Sequence, residues 1–392
     1  MAHKINDQER RRRLIARHHL HPDHPARSAT EAARRMIGLH SSDPATVFLS
    51  ARARVPGITV ADIEYELYDR PSLFRVLGMR GTLFAVPAEL VPLLQHGCAA
   101  PAARAERKRL IGYLEGQGLA KDGEAWIRTV SADTVRAIAE RGEAVAMELR
   151  EDVPELKLTL EFGKGKKWGG KVGISTRVLF LLAAEGKIVR ARPRGTWISG
   201  QYRWATVESR FPSGISLLDL GKARSEILGR WLKAFGPGTM ADLKWWTGWA
   251  LRDVRAALQT LDVAEVGMSN GPGLVLDGDL EPTPPGPPQA ALLPSLDSTV
   301  MGWKDRDWYL GGHAGPLFDR NGNAGPTVWW DGRVVGGWAQ TKSGRVVFRL
   351  LEDLGREGEE AVESEASRLE KWLEKVRVTP RFRAPLDKEL SR

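Results

Sequence analysis

The sequence predicts an α+β fold built from tandem winged-helix (helix-turn-helix) units and a β-rich C-terminal domain. Three observations support this. Helix, turn, helix patterns followed by extended segments recur over residues 1–278. Five prolines between Asp279 and Gln289 exclude a helix interior or a central strand there. Beyond them, two apolar segments flank an Asp331-Gly332 turn, a dipeptide typical of a β-hairpin.

The first unit, residues 1–100, is predicted to contain helices followed by a hairpin. Helical periodicity and capping residues predict helices over residues 7–17, 28–39, 45–53 and 59–68. An extended pair over residues 74–86 turns at Arg80-Gly81. A helix over residues 87–97 begins with Pro87, which the first helical turn tolerates.

The rest of the chain divides into four further segments. The second winged helix is predicted over residues 101–211, with a basic loop, a helix over residues 171–185 and a basic hairpin, and the third over residues 212–278. Residues 279–289 are predicted to form a semi-rigid linker. Residues 290–392 form the C-terminal β-rich domain, with a covering helix over residues 357–376.

The composition indicates a soluble, cofactor-free protein. Apolar residues make up 42% and charged residues 27% of the chain, with no apolar run long enough to span a membrane. A single cysteine, Cys98, predicts a reducing, cytoplasmic location and excludes a cysteine-based zinc cage. We expect no metal, and no nucleotide cofactor because glycine-rich phosphate-binding motifs are absent. Without coiled-coil heptads, a monomer is expected.

A basic segment from Lys157 to Arg194 holds nearly all of the chain's excess positive charge. It has ten Lys or Arg and two acids, a net charge of +8 against +9 for the whole chain. When Lys or Arg neutralises the phosphates of a nucleic acid, condensed cations are released, which favours binding. The clustering of basic residues in this segment therefore predicts nucleic-acid binding. The alternative is a solvated surface, which the interleaved Trp168, Trp197, Tyr202 and Trp204 disfavour. The predicted DNA contacts in this segment are Lys164, Lys166, Lys167, Lys171, Arg177, Arg190, Arg192 and Arg194.

Several separated motifs resemble the AlkZ-like (YcaQ-like) winged-helix family of DNA glycosylases. They are the segments Gly38-Leu39-His40-Ser41-Ser42-Asp43-Pro44, Met79 to Pro87, Leu293-Pro294-Ser295-Leu296-Asp297 and Gly302 to Arg306. Because they occur in the same order over nearly the full length, the match is more specific than any one motif. The resemblance implies tandem winged helices packed into a cradle, a C-terminal β-barrel-like domain, and excision of alkylated purines from double-stranded DNA during repair.

The candidate catalytic residues lie in the first of these motifs. The family usually has Gln-x-Gln or Gln-x-Asp there, whereas this chain has His40 and Ser42 at the two positions. We predict His40 as the base that positions the attacking water, Ser42 as a residue that orients the water, and Asp43 as electrostatic support. The alternative is structural, because Asp43 before Pro44 is also typical of a helix N-cap.

Three further expectations concern the surface and the type of protein. Arg80, Trp330 and Arg333 are predicted to contact DNA from hairpin turns, with Trp330 and Arg333 at a tip that presses into a groove. The histidines between His18 and His24 are predicted to form a surface cluster rather than a metal site. A non-catalytic winged-helix protein that regulates transcription or shields DNA is the alternative to the enzyme, and either is expected at the nucleoid.

Overall fold

Helices and strands are interspersed along the chain and give a mixed α/β fold in the computed structural model, which describes residues 3–163, 166 and 169–392. The helices are α1 (Asp7–Arg17), α2 (Ala29–Arg35), α3 (Pro44–Arg52), α4 (Val60–Glu64), α5 (Val91–Leu94), α6 (Ala100–Gly116), α7 (Gly123–Arg141), α8 (Ala146–Asp152), α9 (Ile174–Ala184), α10 (Val207–Arg210), α11 (Leu220–Phe235), α12 (Met240–Thr247), α13 (Leu251–Leu258), α14 (Asp307–Leu310), α15 (Ala314–Leu317), α16 (Gly355–Leu373) and α17 (Pro385–Leu390). None of the helices in the described ranges is long and apolar enough to cross a bilayer.

The strands are all short and pair in antiparallel fashion where their registers are defined. They are β1 (Leu39–His40), β2 (Leu73–Leu77), β3 (Leu83–Pro87), β4 (Ala144–Val145), β5 (Thr159–Phe162), β6 (Gly170–Gly173), β7 (Ile188–Pro193), β8 (Tyr202–Thr206), β9 (Val263–Met268), β10 (Gly271–Leu276), β11 (Ala290–Leu293), β12 (Thr327–Trp330), β13 (Arg333–Gln340) and β14 (Val346–Leu350).

Contacts between distant parts of the chain divide it into two units. Unit 1 consists of the chain up to Leu73, the segment Phe84–Leu90 and the segment Arg224–Arg392. Unit 2 consists of Phe74–Leu83 and Val91–Ala223. Both units are therefore discontinuous in sequence, and the boundaries of the five predicted segments stay a prediction.

Unit 1 is built around an aromatic core and an open sheet. Trp231, Phe235, Trp303 and Trp329 are buried, and the rings of Trp231 and Phe235 stack with their centroids 5.7 Å apart. The sheet has the strand order β11-β12-β13-β14, and α16 packs against it. Its edge strands β11 and β14 do not pair with each other within these described residues, so the barrel-like closure that the resemblance implies is not seen.

Unit 2 combines a helical layer with strands. Strands β2, β7, β8 and β4 lie side by side in that order, and helices α6, α7 and α9 pack around a common core. Fully buried aliphatic side chains hold these helices together, among them Leu110, Leu114, Ile138, Leu181 and Leu182. Helices preceding a hairpin occur in this order here, but the winged-helix assignment stays a prediction.

Some predicted elements are confirmed in place and others end earlier than expected. Helix α1 spans the predicted residues, with the Asn6 side chain accepting from the Glu9 amide as its N-cap. Helix α2 ends at Arg35 rather than at Leu39, because Ile37 and Gly38 adopt positive φ angles of 57° and 123°.

The basic loop also differs from the prediction in its surroundings. It was expected to lead straight into a helix beginning at Lys171. Instead Lys171 pairs with Glu161 across β5 and β6, so residues 163–169 connect the two strands of a hairpin. Helix α9 begins only at Ile174. Gly169, Gly170 and Gly173 oppose an earlier start of the helix, because glycine loses more conformational entropy than other residues when a helix fixes its backbone.

The predicted surface cluster of histidines is wrong for two of its members. His18 is fully buried, and its ring nitrogens lie 2.9 Å from Thr299 Oγ1 and 3.2 Å from the Ala234 carbonyl. His19 is also buried, whereas His24 is exposed. The periodicity of this short, proline-interrupted segment does not reveal that α1 carries His18 into the aromatic core. Within the described residues, no group of three His, Cys, Asp or Glu side chains could hold a metal ion.

Candidate active-site loop and nucleic-acid interface

The loop with the candidate catalytic residues connects β1 to α3 in unit 1. Strand β1 pairs with β3, which places Leu39 opposite Ala85 and His40 opposite Phe84. The loop is entered through Gly38, where a side-chain Cβ would lie 2.7 Å from Val86 Cγ1. Glycine is therefore required at this position both by its backbone angle and by the close approach of β3.

Asp43 ends the loop and begins α3. Its Oδ1 accepts a hydrogen bond from the Ala45 amide at 3.1 Å, with Pro44 in the first helical turn, so the predicted N-cap is confirmed. Its Oδ2 accepts from the Arg381 amide at 2.8 Å. Burial raises the pKa of the Asp43 carboxyl above its ordinary value, against the opposing effect of these two amides. The carboxylate thus joins the loop to the C-terminal segment of the chain.

His40 is held rather than mobile. Its side chain is 4% exposed, and its ring lies edge-to-face on Phe84 with centroids 5.2 Å apart. The Ser42 amide lies 3.4 Å from Nδ1, a long contact that favours Nδ1 as an acceptor. The Ser42 carbonyl in turn accepts from Arg381 Nη1 at 3.3 Å. The loop therefore fixes the orientation of the imidazole before any substrate binds.

A buried ionic network lies at the C-terminal end of α3. Arg54 and Asp297 are both fully buried, with Arg54 Nη2 2.7 Å from Asp297 Oδ1. Ser50 Oγ also donates to Asp297, and Arg54 donates to the carbonyl of His18. A buried charge pair needs such additional hydrogen bonds to offset the loss of hydration. The network fixes α3, and with it the loop, to the segment around Asp297.

Two further contacts attach the loop region to the same segment. Thr46 Oγ1 donates to the Ser295 carbonyl at 2.8 Å, and Ser298 Oγ donates to the Gly38 carbonyl at 3.0 Å. The motif from Gly38 to Pro44 and the motif from Leu293 to Asp297 are therefore neighbours in unit 1. Their separation in sequence hides this proximity.

Apart from Arg177 on α9, the predicted DNA contacts of unit 2 that the structure describes lie on two hairpins and one turn. Lys166 and Lys171 are exposed on the β5–β6 hairpin, and Arg80 is exposed in the turn after β2, at a φ of 56°. Lys164 and Lys167 lie outside the described residues. Arg190 and Arg192 alternate with buried residues along β7, and Arg194 is exposed just beyond it. The described side chains of this group therefore carry positive charge that is exposed or half-exposed on unit 2. Arg177 differs from this group because it has a structural contact.

Arg177 has a structural contact that its position in the sequence does not suggest. Its Nη1 donates to Glu106 Oε1 at 2.8 Å, and its guanidinium lies 5.6 Å from the ring centroids of both Tyr113 and Phe162. Glu106 is itself buried. Arg177 therefore joins α9 to α6, and its predicted DNA contact stays a prediction.

The β12–β13 hairpin forms as predicted, with Trp330 paired to Arg333 across the turn. Asp331 and Gly332 have φ angles of 45° and 75°, as a tight two-residue turn requires. A Cβ at Gly332 would lie 2.9 Å from Arg11 Cβ, so the tip packs on α1. Arg333 pairs with Glu352 at 3.0 Å. A DNA contact by Trp330 or Arg333 stays a prediction.

The comparisons with known proteins identify the relatives of this chain. The family model described as DNA glycosylase AlkZ-like matches residues 33–372, which include the loop, α3 and the Asp297 segment. The chain belongs to the AlkZ-like DNA glycosylase family. A solved structure of Streptomyces sahachiroi DNA glycosylase AlkZ is similar in fold, with a TM-score of 0.72 and 19% identity over 94% of this chain and 97% of that one. No curated protein matches the sequence.

Among the structural features of this AlkZ-like chain, three were not predicted from its sequence. Arg54 supports α3 from the core, Arg381 holds the loop from the C-terminal segment, and Arg75 on β2 pairs with Arg190 on β7. Each acts through a partner far away in the sequence. Only Arg75 has a signal in its local sequence, because it is a charged residue within an otherwise apolar strand.

Proposed function

We propose that this AlkZ-like protein is a cofactor-free DNA glycosylase that hydrolyses the N-glycosidic bond of purines alkylated at N7 or N3 in duplex DNA, including bulky adducts. The observation that carries the proposal is a family match that runs through the loop, together with a His40 ring held in one orientation there. We further propose that the protein acts as a monomer at the nucleoid in the cytoplasm.

The chemistry makes modest demands on the protein. A purine alkylated at N7 or N3 carries positive charge, so it leaves as a neutral heterocycle when the bond from C1′ to N9 breaks. Water then adds to C1′ of the oxocarbenium-like sugar and loses a proton, which leaves an abasic sugar. The protein must place the water and stabilise the developing charge.

We assign to His40 the role of positioning the attacking water and accepting its proton. A neutral imidazole accepts a proton near neutral pH, and a ring that is already oriented loses little freedom on binding. Because the ring is 4% exposed, only a group that reaches its exposed edge can react with it. Ser42 orients the water, and the buried carboxylate of Asp43 stabilises positive charge nearby while it caps α3.

DNA binding is assigned to the basic surface of unit 2. Lys166 and Lys171 on the β5–β6 hairpin and Arg192 and Arg194 at the end of β7 are available to phosphates, since their side chains are exposed or half-exposed. Such contacts position a duplex without reading its sequence. Binding should therefore weaken steeply with salt.

Base release from a duplex containing N7-methylguanine tests the proposal. We expect wild-type protein to release the modified base and leave abasic sites. The variant His40→Ala should lose this activity by roughly 100- to 10 000-fold, the usual contribution of a positioned acid or base. The variant His40→Gln is the matched control, because glutamine holds a water by hydrogen bonds and is the usual residue of the family at this position. Wild-type protein that releases no base from methylated or bulkier adducts would contradict the proposal.

A second candidate function is DNA binding without catalysis. The observation that favours it is the replacement of the family's usual Gln pair by His40 and Ser42. It predicts retention of a duplex that is unaffected by His40→Ala and is lost when Arg190, Arg192 and Arg194 are all replaced by Gln. Measuring both properties on the same variants separates the two functions.

A further inference from the structure

Unit 2 contains a cavity that the proposed reaction does not use. Its volume is about 430 Å³, and its walls come from β2, β7, β8, α9 and the residues around Met147, all within unit 2. Sites for small organic ligands are usually clefts of about 300–1000 Å³. The cavity is therefore of the size that holds one small molecule rather than a segment of polymer.

Most of the wall is apolar and partly aromatic. Leu77, Leu179 and Phe180 line one part of it, and Tyr202, Trp204 and Phe211 line another. Tyr202 and Trp204 are buried, so the rings are held by packing. Rigid aromatic and aliphatic walls bind flat, apolar ring systems without losing much conformational freedom.

Three arginines contribute positive charge to the wall of this largely apolar cavity. Arg75, Arg190 and Arg194 all line it, and no Asp or Glu is present among the described lining residues. Arg75 and Arg190 are directly opposite each other across β2 and β7. Both guanidiniums lie over the ring of Tyr202, at 5.1 and 4.8 Å from its centroid.

We propose that this cavity is a binding site for a small aromatic acid, a flat apolar ring system bearing one carboxylate, sulfonate or phosphate group. The rings would occupy the apolar wall. The anionic group would lie at the arginines of the wall, where it would accept charge-assisted hydrogen bonds. This site contains none of the residues assigned to the reaction, although Arg190 and Arg194 are also predicted to contact DNA.

The phosphate backbone of an intact duplex does not fit into this cavity. A duplex presents its phosphates on a convex surface, whereas Arg75 is buried and Arg190 is half-buried in the wall of a concave, largely apolar cavity. A nucleotide could enter only after leaving the base stack, which has an energetic cost. A freely diffusing aromatic acid has no such cost.

Titration of the full-length protein with anilinonaphthalene sulfonate tests the proposal, because this fluorescent probe joins aromatic rings to one anionic group. Its neutral counterpart, N-phenylnaphthylamine, has a similar ring body without the charge. We expect one sulfonate probe to bind per chain, with the neutral probe bound about tenfold more weakly, the loss expected for a charge-assisted contact. Equal affinity for the two probes would overturn the proposal.

Three variants locate the binding. Thr176→Trp places bulk in the cavity from an exposed position on α9, and should abolish binding of both probes. Arg194→Gln should weaken the sulfonate about tenfold and leave the neutral probe unchanged. Arg128→Gln removes the same charge from an exposed residue of α7 outside the cavity, and should change neither.

Two outcomes would contradict the site. Unchanged sulfonate affinity in Thr176→Trp would place the probe elsewhere on the protein. Displacement of the probe by a duplex with one bulged nucleotide, but not by a fully paired duplex, would identify an extrahelical nucleotide as the occupant and overturn the free aromatic acid. Loss of base-release activity in the wild type would leave these binding results unaffected, so the two proposals fail separately.

Discussion

The loop of unit 1 and the basic surface of unit 2 differ in how their polar side chains are held. In the loop, His40, Asp43 and the neighbouring Arg54–Asp297 pair are buried and fixed by hydrogen bonds. On the β5–β6 hairpin and beyond β7, Lys166, Lys171 and Arg194 are exposed. Fixed groups can align a reaction, whereas exposed cations can follow the phosphates of a duplex of any sequence.

This difference predicts how each region responds to change. A substitution in the buried region should cost stability or reaction rate and depend little on salt, because buried pairs are screened weakly. A substitution on the exposed surface should leave the fold intact and change mainly the salt dependence of DNA binding.

The largest effect is expected from the buried ion pair. Arg54→Ala leaves Asp297 charged and buried, so the free energy of unfolding should fall by about 3–5 kcal/mol. Urea unfolding followed by tryptophan fluorescence measures it. The control is Arg356→Ala, which removes an arginine from an exposed pair with Glu360 and should change stability by less than about 0.5 kcal/mol. Equal losses of unfolding free energy in the two variants would contradict the expected difference between buried and exposed ion pairs.

Acid should destabilise unit 1 through His18. Burial, and next the nearby Arg54, lower the pKa of this ring from 6.5 to about 3. The unfolded chain then binds the proton first, so the stabilisation is complete above about pH 6.5 and is lost as the pH falls towards 3, by about 1.4 kcal/mol per pH unit. Urea unfolding at several pH values should show this slope.

Two variants assign that slope to His18. His18→Asn should lose this part of the pH dependence, although it is less stable at every pH, whereas His24→Gln at an exposed position should keep it. An unchanged slope in His18→Asn would mean that other groups control the response to acid.

The helix cap should contribute less. Asp43→Ala removes the acceptor for the Ala45 amide, so we expect a loss of about 1 kcal/mol in the free energy of unfolding. Asp43→Asn retains a capping oxygen and should lose less. Denaturant unfolding of the two variants side by side measures the difference. Identical stabilities would show that a capping oxygen at position 43 does not stabilise the fold.

The smallest effect is expected on the exposed hairpin. Lys166→Gln and Lys171→Gln should each reduce the slope of log affinity against log salt by about 0.9 and weaken binding only slightly at physiological salt. Fluorescence anisotropy with a labelled duplex measures the slope. Lys121→Gln, an exposed lysine outside the basic segment, is the control and should leave it unchanged. A slope unaffected by Lys166 and Lys171 would remove the hairpin from the interface.

Local signals made part of this molecule predictable. The bounds of α1, the N-cap at Asp43 and the turn at Asp331-Gly332 all follow from residues within a few positions of each other. The β9–β10 hairpin was missed: its two turn residues are Ser269 and Asn270, and the signal at hand, Asn270-Gly271, lies one residue further along the chain.

Long-range partners account for what could not be predicted. Arg54 and Asp297 are separated by 243 positions, and nothing in either local sequence indicates the other. The same holds for Arg381 at the loop, and for Arg75 opposite Arg190 in the wall of the unit 2 cavity. The candidate residues His40 and Ser42 came from resemblance to a family, since local chemistry alone favoured only the cap at Asp43.

The role of His40 is tested by two measurements on His40→Ala: single-turnover base excision from a duplex containing N7-methylguanine, and affinity for the same duplex. We predict that excision falls by roughly 100- to 10 000-fold while the affinity stays within about twofold of wild type. Excision at the wild-type rate would contradict the central claim, because the oriented imidazole of the loop would then have no part in the reaction.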